Sequence, residues 1–188
     1  MIEVEIKLPI KSRECVEAEL QKLGFSSGNF MRESDIYFNS DNYDLRQKDM
    51  ALRIRSCENL TTGESDAVMT YKGPKLDSIS MTRKELETEV EDAKVCQEIL
   101  KGIGFTKVYP VCKLRQYYHM EQITACVDEV EGLGEFLELE IIVAGEEERE
   151  EALERLEEIL TKLGYGMEET TRSSYLSILQ RKKRKSII

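Results

Sequence analysis

Cysteine is sparse and scattered in this chain. Cys15, Cys57, Cys96, Cys112 and Cys126 are odd in number and form no Cys-x-x-Cys pair. That argues against a zinc site or a disulfide framework and favours a reduced, cytoplasmic setting. Histidine is nearly missing: His119 stands alone near an expected hairpin turn, and no catalytic triad can be built around it. No apolar run approaches the roughly 20 residues of a membrane span. The stretch from Met1 to Pro9 is too charged for a signal peptide. Positive charge is also short. The chain has 27 Lys and Arg against 37 Asp and Glu, a net charge of −10. Wholesale binding to a nucleic-acid backbone is therefore a poor first reading.

What is present is 188 residues, 40% hydrophobic and 34% charged. The length suits one domain with a real core, expected over 1–180, followed by a basic tail over 181–188. The charge exceeds what a plain surface needs.

The chain repeats itself. Glu3-Val4-Glu5, Glu85-Leu86-Glu87 and Glu138-Leu139-Glu140 each open a unit. A helical pattern follows each, from about Ser12 to Leu23, Asp92 to Ile103 and Glu146 to Leu163. Each pattern closes on Gly24, Gly104 or Gly164, where a left-handed residue ends a helix. Ser12 and Asp92 are suitable N-caps. Val16, Leu20 and Leu23 share one helical face, as do Val95, Ile99 and Ile103, and Leu153, Leu156, Leu160 and Leu163. Period-two alternation predicts strands near 2–9, 29–38, 51–56, 66–73, 83–91, 105–118, 122–131 and 134–144. A fourth short helix is expected over about 172–180, with the basic run from Arg181 to Lys185 fraying beyond it.

The strands alternate in an uncommon way, with one face apolar and the other charged. Glu3, Glu5 and Lys7 share a face, as do Arg53 and Arg55, and Arg83, Glu85 and Glu87. Lys113 and Arg115 share another, and Glu138 and Glu140 a further one; Lys72 ends its strand. One such strand is an ordinary wet face. Six or seven suggest a closed sheet with its charges inside and amphipathic helices outside, and about eight strands can close into a barrel. Same-face neighbours lie about 6.6–6.8 Å apart, the spacing of nearby phosphates. If the first and last strands approach, Glu3, Glu5, Glu138 and Glu140 cluster, and such a cluster binds a hard cation or raises its own pKa values. Clustered Arg53, Arg55, Lys72, Lys113 and Arg115 call for an anion. A metal-bound polyphosphate satisfies both sets.

Glu3-Val4-Glu5-Ile6-Lys7 resembles the ExExK signature of the CYTH superfamily, the triphosphate tunnel metalloenzymes. The resemblance continues in order through Asp35-Ile36-Tyr37-Phe38, Leu52-Arg53-Ile54-Arg55, Tyr71-Lys72-Gly73 and Arg83 to Glu87. It then runs through Lys113-Leu114-Arg115, Asp128 to Gly134, Phe136 to Glu140, and Ser174-Tyr175-Leu176. It covers essentially the whole chain and implies an α+β fold: a closed eight-stranded antiparallel β-barrel with helices packed outside. It implies Mg²⁺ or Mn²⁺ at Glu3, Glu5, Glu138 and Glu140, assisted by Asp128 and Glu85 or Glu87. It implies triphosphate contacts from Lys7, Arg53, Arg55, Lys72, Lys113 and Arg115, with Arg83 added. Lys7 and Asp128 are the candidates for direct roles in the chemistry.

The stretch Glu129 to Glu140 is similar to the class IV adenylate cyclase subgroup, so conversion of ATP to cyclic AMP and pyrophosphate is the leading expectation. Inorganic triphosphatase, thiamine triphosphatase and nucleoside triphosphate phosphohydrolase remain open, as does a noncatalytic polyphosphate- or nucleotide-binding module. The expected partner is a small triphosphate (ATP, tripolyphosphate or thiamine triphosphate), without a membrane or nucleic acid; a homodimer is compatible with this reading. No separate adenine-reading motif stands out in the sequence.

Overall fold

The computed structural model describes residues 2–185. Strand β1 (Ile2–Pro9) leads to helix α1 (Arg13–Lys22) and then β2 (Ser26–Asn39), β3 (Ala51–Asn59), β4 (Ser65–Lys75) and β5 (Arg83–Glu89). Helix α2 (Ala93–Gly102) and a two-residue β6 (Thr106–Lys107) follow. Next come β7 (Val111–Met120), β8 (Ile123–Val130), β9 (Gly134–Val143), α3 (Arg149–Lys162) and α4 (Tyr175–Lys185).

Eight strands close a barrel in the order β2-β3-β4-β5-β1-β9-β8-β7 and back to β2, as the alternation predicts; β6 only extends the β2 edge. Each neighbouring pair is antiparallel. The β2–β3, β4–β5 and β8–β9 connections therefore share one mouth, and β3–β4 and β7–β8 share the other. The β1–β5 seam is short, pairing Ile2 with Lys84 and Glu3 with Arg83. The segment before β5 lengthens it, because the Met81 N–H donates to the Glu5 carbonyl at 2.9 Å.

The apolar strand faces point outward and need cover. Val4, Ile6, Leu8, Leu137 and Leu139 pack beneath Val16 and Leu20 of α1 and Leu156 and Leu160 of α3. Truncating Leu139, which is fully buried there, would cost about 2–5 kcal/mol. Ser12 accepts from the Cys15 N–H, and Asp92 from those of Lys94 and Val95. Gly24, Gly104 and Gly164 take φ of 100°, 96° and 85°, so each repeat does end its helix on a left-handed glycine.

Three expectations change. The strand expected over 105–118 breaks into β6 and β7. Pro110 cannot donate to a ladder, and the Val108 N–H turns to the Tyr37 carbonyl instead. On α2, Val95, Ile99 and Ile103 are 53%, 57% and 67% exposed. That helix seats on Phe38 and Ile54 through Ala93, Cys96 and Leu100, a stripe about one quarter-turn away. Finally, the basic run is helical. Lys182 donates to the Gly132 carbonyl at 2.7 Å and Lys183 lies 3.5 Å from the Tyr109 ring, which ties α4 to the barrel rim. Residues 186–188 of the expected tail lie outside the described residues. Among the described residues no helix is long and apolar enough to cross a membrane.

Candidate metal and triphosphate site

The barrel encloses a cavity of about 590 Å³, lined by the charged strand faces. Its carboxylates fall into two groups. Glu3 and Glu5 of β1 and Glu140 of β9 each bring an oxygen within 4.8 Å of the others. Their strands meet in register, Glu5 opposite Glu140. Burial pushes the Glu5 carboxyl above its ordinary range, with Glu138 and Glu3 adding repulsion against the opposing pull of Lys7. Burial and then Glu3 drive Glu140 well above that range. Glu5 Oε1 is buried and makes no hydrogen bond, although Lys7 Nζ lies 3.3 Å away. Three crowded hard oxygens, one of them unsatisfied, fit Mg²⁺ or Mn²⁺ better than a softer metal.

The second group of carboxylates already has cations. Lys7 Nζ lies 2.7 Å from Glu138, which also accepts from Arg115. Arg115 grips Asp128 through Nε and Nη2, both at 2.6 Å. Lys113 Nζ lies 3.1 Å from Asp128 and 3.3 Å from Glu33. Arg55 is bidentate to Asp35 at 2.6 and 2.9 Å and reaches Glu33 at 2.8 Å. Arg53 donates to Thr70 at 3.0 Å and to Glu87 at 3.4 Å. Lys72 Nζ lies 2.6 Å from Glu85 and 3.8 Å from Glu3, linking the two groups. Arg83 is buried and donates to the carbonyls of Gly73 and Met81.

These pairings set the charge states. Burial opposes ionisation of Glu138, yet Lys7 and Arg115 overcome it and hold the carboxyl well below its usual range. Asp35 is pulled down to about 2 because Arg55 and Arg53 outweigh its burial. Lys7 is raised despite burial, chiefly by Glu138 and Glu5.

Of the seven carboxylates expected at the metal, the structure brings Glu3, Glu5 and Glu140 together. Glu138, Asp128, Glu85 and Glu87 face cations instead. Asp128 is fully buried, and it accepts from Arg115, Lys113 and the Tyr175 hydroxyl. In that environment it anchors Lys113 and Arg115. The seven expected cationic residues, Lys7, Arg53, Arg55, Lys72, Arg83, Lys113 and Arg115, all line the one cavity.

A family model for the CYTH domain matches residues 1–175. The chain belongs to the CYTH family. A Methanocaldococcus jannaschii protein provisionally named an adenylate cyclase is 43% identical over 178 residues, covering 95% of this chain and 98% of that one. The Pyrococcus horikoshii protein PH1819 has a solved structure with TM-score 0.88 and 37% identity, over 96% of this chain and 99% of that one. A Hippeastrum protein, proposed as an adenylyl cyclase and described as having dominant triphosphatase activity, shares the fold at TM-score 0.69 and 20% identity, over 96% and 95% of the two chains.

Three lining residues of this CYTH tunnel, Asp35, Tyr117 and Tyr175, escaped the sequence reading of charged faces, and so did Glu33, a buried carboxylate that pairs with Arg55 and Lys113. Glu33, Asp35 and Tyr37 alternate along β2 by the same rule that found Arg53 and Arg55, and Tyr117 extends Lys113 and Arg115. Tyr117 donates to Glu33 at 2.9 Å. Tyr175 had no such signal because it sits on a helix. It enters the mouth shared by the β2–β3 and β8–β9 connections, packs edge-on against Phe136 and lies 4.2 Å from Lys7 Nζ.

Proposed function

We propose that the protein is a divalent-metal-dependent enzyme that cleaves a triphosphate inside the tunnel. The observation that carries this reading is the Glu3, Glu5 and Glu140 trio facing seven cationic side chains across one cavity. A Mg²⁺ or Mn²⁺ ion held by that trio would neutralise phosphate oxygens as a Lewis acid. The cationic side chains are fixed beforehand by Glu33, Asp35, Asp128 and Glu138, so little reorganisation is needed as negative charge moves onto the leaving phosphate. Lys7 stands between the trio and Glu138 and stays protonated, so it serves as an electrostatic clamp rather than a base.

ATP cyclisation is the reaction to test first, supported by the name of the 43%-identical relative and its near-complete coverage. In that reaction the ribose 3′-hydroxyl gives up its proton to water, its oxygen bonds to the α-phosphorus, the bond from that phosphorus to the oxygen bridging to the β-phosphorus breaks, and pyrophosphate leaves. Water attacking a phosphorus in the same cavity would give a triphosphatase. The test is a product assay with ATP, tripolyphosphate and thiamine triphosphate, each with Mg²⁺, Mn²⁺ or chelator. Cyclic AMP with pyrophosphate, dependent on metal, is the expected result. Orthophosphate alone would replace cyclisation with hydrolysis, and metal-independent turnover would remove the assignment of the trio.

A further inference from the structure

Helices α1 and α3 bury their apolar rows on the barrel, through Val16, Leu20, Leu156 and Leu160. Helix α2 differs because it is apolar on two faces. Ala93, Cys96 and Leu100 seat it on Phe38 and Ile54, while Val95, Ile99 and Ile103 form a second row turned away from the barrel. A single exposed aliphatic is ordinary, but a row of three, each more than half exposed, has the character of an interaction surface. Gly102 continues that outer face, at helical spacing from Val95 and Ile99. It lies inside the helix and is not the left-handed residue, which is Gly104. A Cβ on Gly102 would meet nothing within 4 Å. Glycine weakens a helix relative to alanine, and no contact among the described residues calls for it here. A second backbone approaching that notch would.

The face is complementary to itself. In an antiparallel two-fold pairing about Ile99, that residue meets its own copy and Val95 meets Ile103 of the other chain. Gly102 then leaves room beside the other chain's Val95. The charges along the row agree with this arrangement. Glu98 and Lys101 flank the row on one side and lie on opposite sides of Ile99 along the helix, where they pair with each other at 2.6 Å. The two-fold brings Glu98 of each copy beside Lys101 of the other, whereas a parallel pairing would set like against like. Both helices therefore offer an apolar centre and a matched charged edge, which identifies a second copy of this chain as the occupant.

We propose that the outer face of α2 is the interface of a two-fold dimer of this chain, with Val95, Ile99 and Ile103 at its centre. Helix α2 covers the outside of β2 and β3, whose inner faces carry Asp35, Arg53 and Arg55, so the second copy braces the cationic wall of the tunnel from behind. The test is sedimentation of the full chain from about 1 to 500 µM, a range that spans the micromolar dissociation constant expected of a small helix-pair contact. The wild type should pass from monomer to dimer. Ile99→Lys should stay monomeric throughout, and Ile103→Lys serves as a second variant. Both should melt like the wild type at low concentration, because neither side chain belongs to the core. Glu98→Lys and Lys101→Glu should each weaken the dimer about tenfold, since each replaces two attractive pairs with two repulsive ones. Mixing those two variants in equal amounts should restore association, because the mixed dimer has both pairs matched again. A wild type that stays monomeric, or a dimer indifferent to both Lys substitutions at Ile99 and Ile103, overturns the interface. A mixture that associates no better than its components overturns the antiparallel two-fold.

Discussion

Glu138 and Glu140 are two residues apart on one face of β9, yet neutralising them should move stability in opposite directions. Glu138 is 5% exposed and accepts from Lys7 and Arg115. Each charge-assisted bond of this kind is worth about 1.5–3 kcal/mol, and the glutamine oxygen in Glu138→Gln can keep part of one. Lys7 retains only the longer contact to Glu5, and Arg115 retains Asp128. The net cost is about 3 kcal/mol, at the low end for a broken buried pair. At roughly 2–4 °C per kcal/mol for a domain of this size, the Tm should fall by about 6–12 °C. Glu140 has the reverse environment. Its raised pKa means that folding disfavours the ionised carboxylate, first through burial and then through Glu3. Glu140→Gln therefore relieves repulsion and should raise the Tm in chelator. Melting curves in chelator and then in Mg²⁺ would measure both effects. The metal-induced upward shift should survive in Glu138→Gln and shrink in Glu140→Gln. The division of the carboxylates into two groups is wrong if Glu140→Gln lowers the chelated Tm as much as Glu138→Gln does, or if both lose the metal shift equally.

Tyr175→Phe keeps the ring beside Lys7 and removes the hydroxyl donated to buried Asp128 at 2.8 Å, so it should cost about 1–2 kcal/mol in denaturant melts; an unchanged midpoint would show that Asp128 does not depend on that donor. Asp35 has a folded pKa of about 2 against an ordinary 3.8, so its stabilisation is fully present above the higher value and is lost as pH falls toward the lower. The stability gap between wild type and Asp35→Asn, which includes about 2 kcal/mol from this source, should narrow between pH 4 and 2, and a pH-independent gap would contradict the Arg55 and Arg53 pairing. Arg55→Lys retains a charge but cannot grip Asp35 bidentately while reaching Glu33; it should weaken tripolyphosphate binding about tenfold, read by competition, and wild-type affinity would place that guanidinium outside the anion site.

The barrel was legible because period-two alternation is a local property. Glu3-x-Glu5-x-Lys7 announces its inner face without knowledge of any partner strand, and the Gly24, Gly104 and Gly164 helix ends announce the repeats. The grouping of the carboxylates was not legible, because it depends on register. Glu138 faces Lys7, and Glu140 faces Glu5, only after β9 has paired with β1. A strand shifted by two residues would keep the same alternation yet put Glu140 opposite Lys7, or Glu138 opposite Glu5. The exposed apolar row on α2 has a similar origin. Val95, Ile99 and Ile103 form as regular a helical row as Ala93, Cys96 and Leu100, and the sequence does not say which row the barrel will meet.

The tunnel resolves a conflict between stability and binding by separating its acids. Seven buried or half-buried cations would be hard to fold around without counter-charge. Glu33, Asp35, Asp128 and Glu138 supply much of it, and they also hold the cations at the wall, where their remaining N–H donors can address an anion. Glu3, Glu5 and Glu140 add repulsion, and under the proposed function that repulsion would become affinity when a divalent cation arrives. Under the proposed function metal and triphosphate would complete different halves of one charge pattern, so each should tighten the other's binding. The coupling can be measured by titrating Mg²⁺ with and without saturating tripolyphosphate. Equal Mg²⁺ affinities in the two titrations, corrected for Mg²⁺ bound by free tripolyphosphate, would mean that the two halves act independently and that the shared cavity has no energetic consequence.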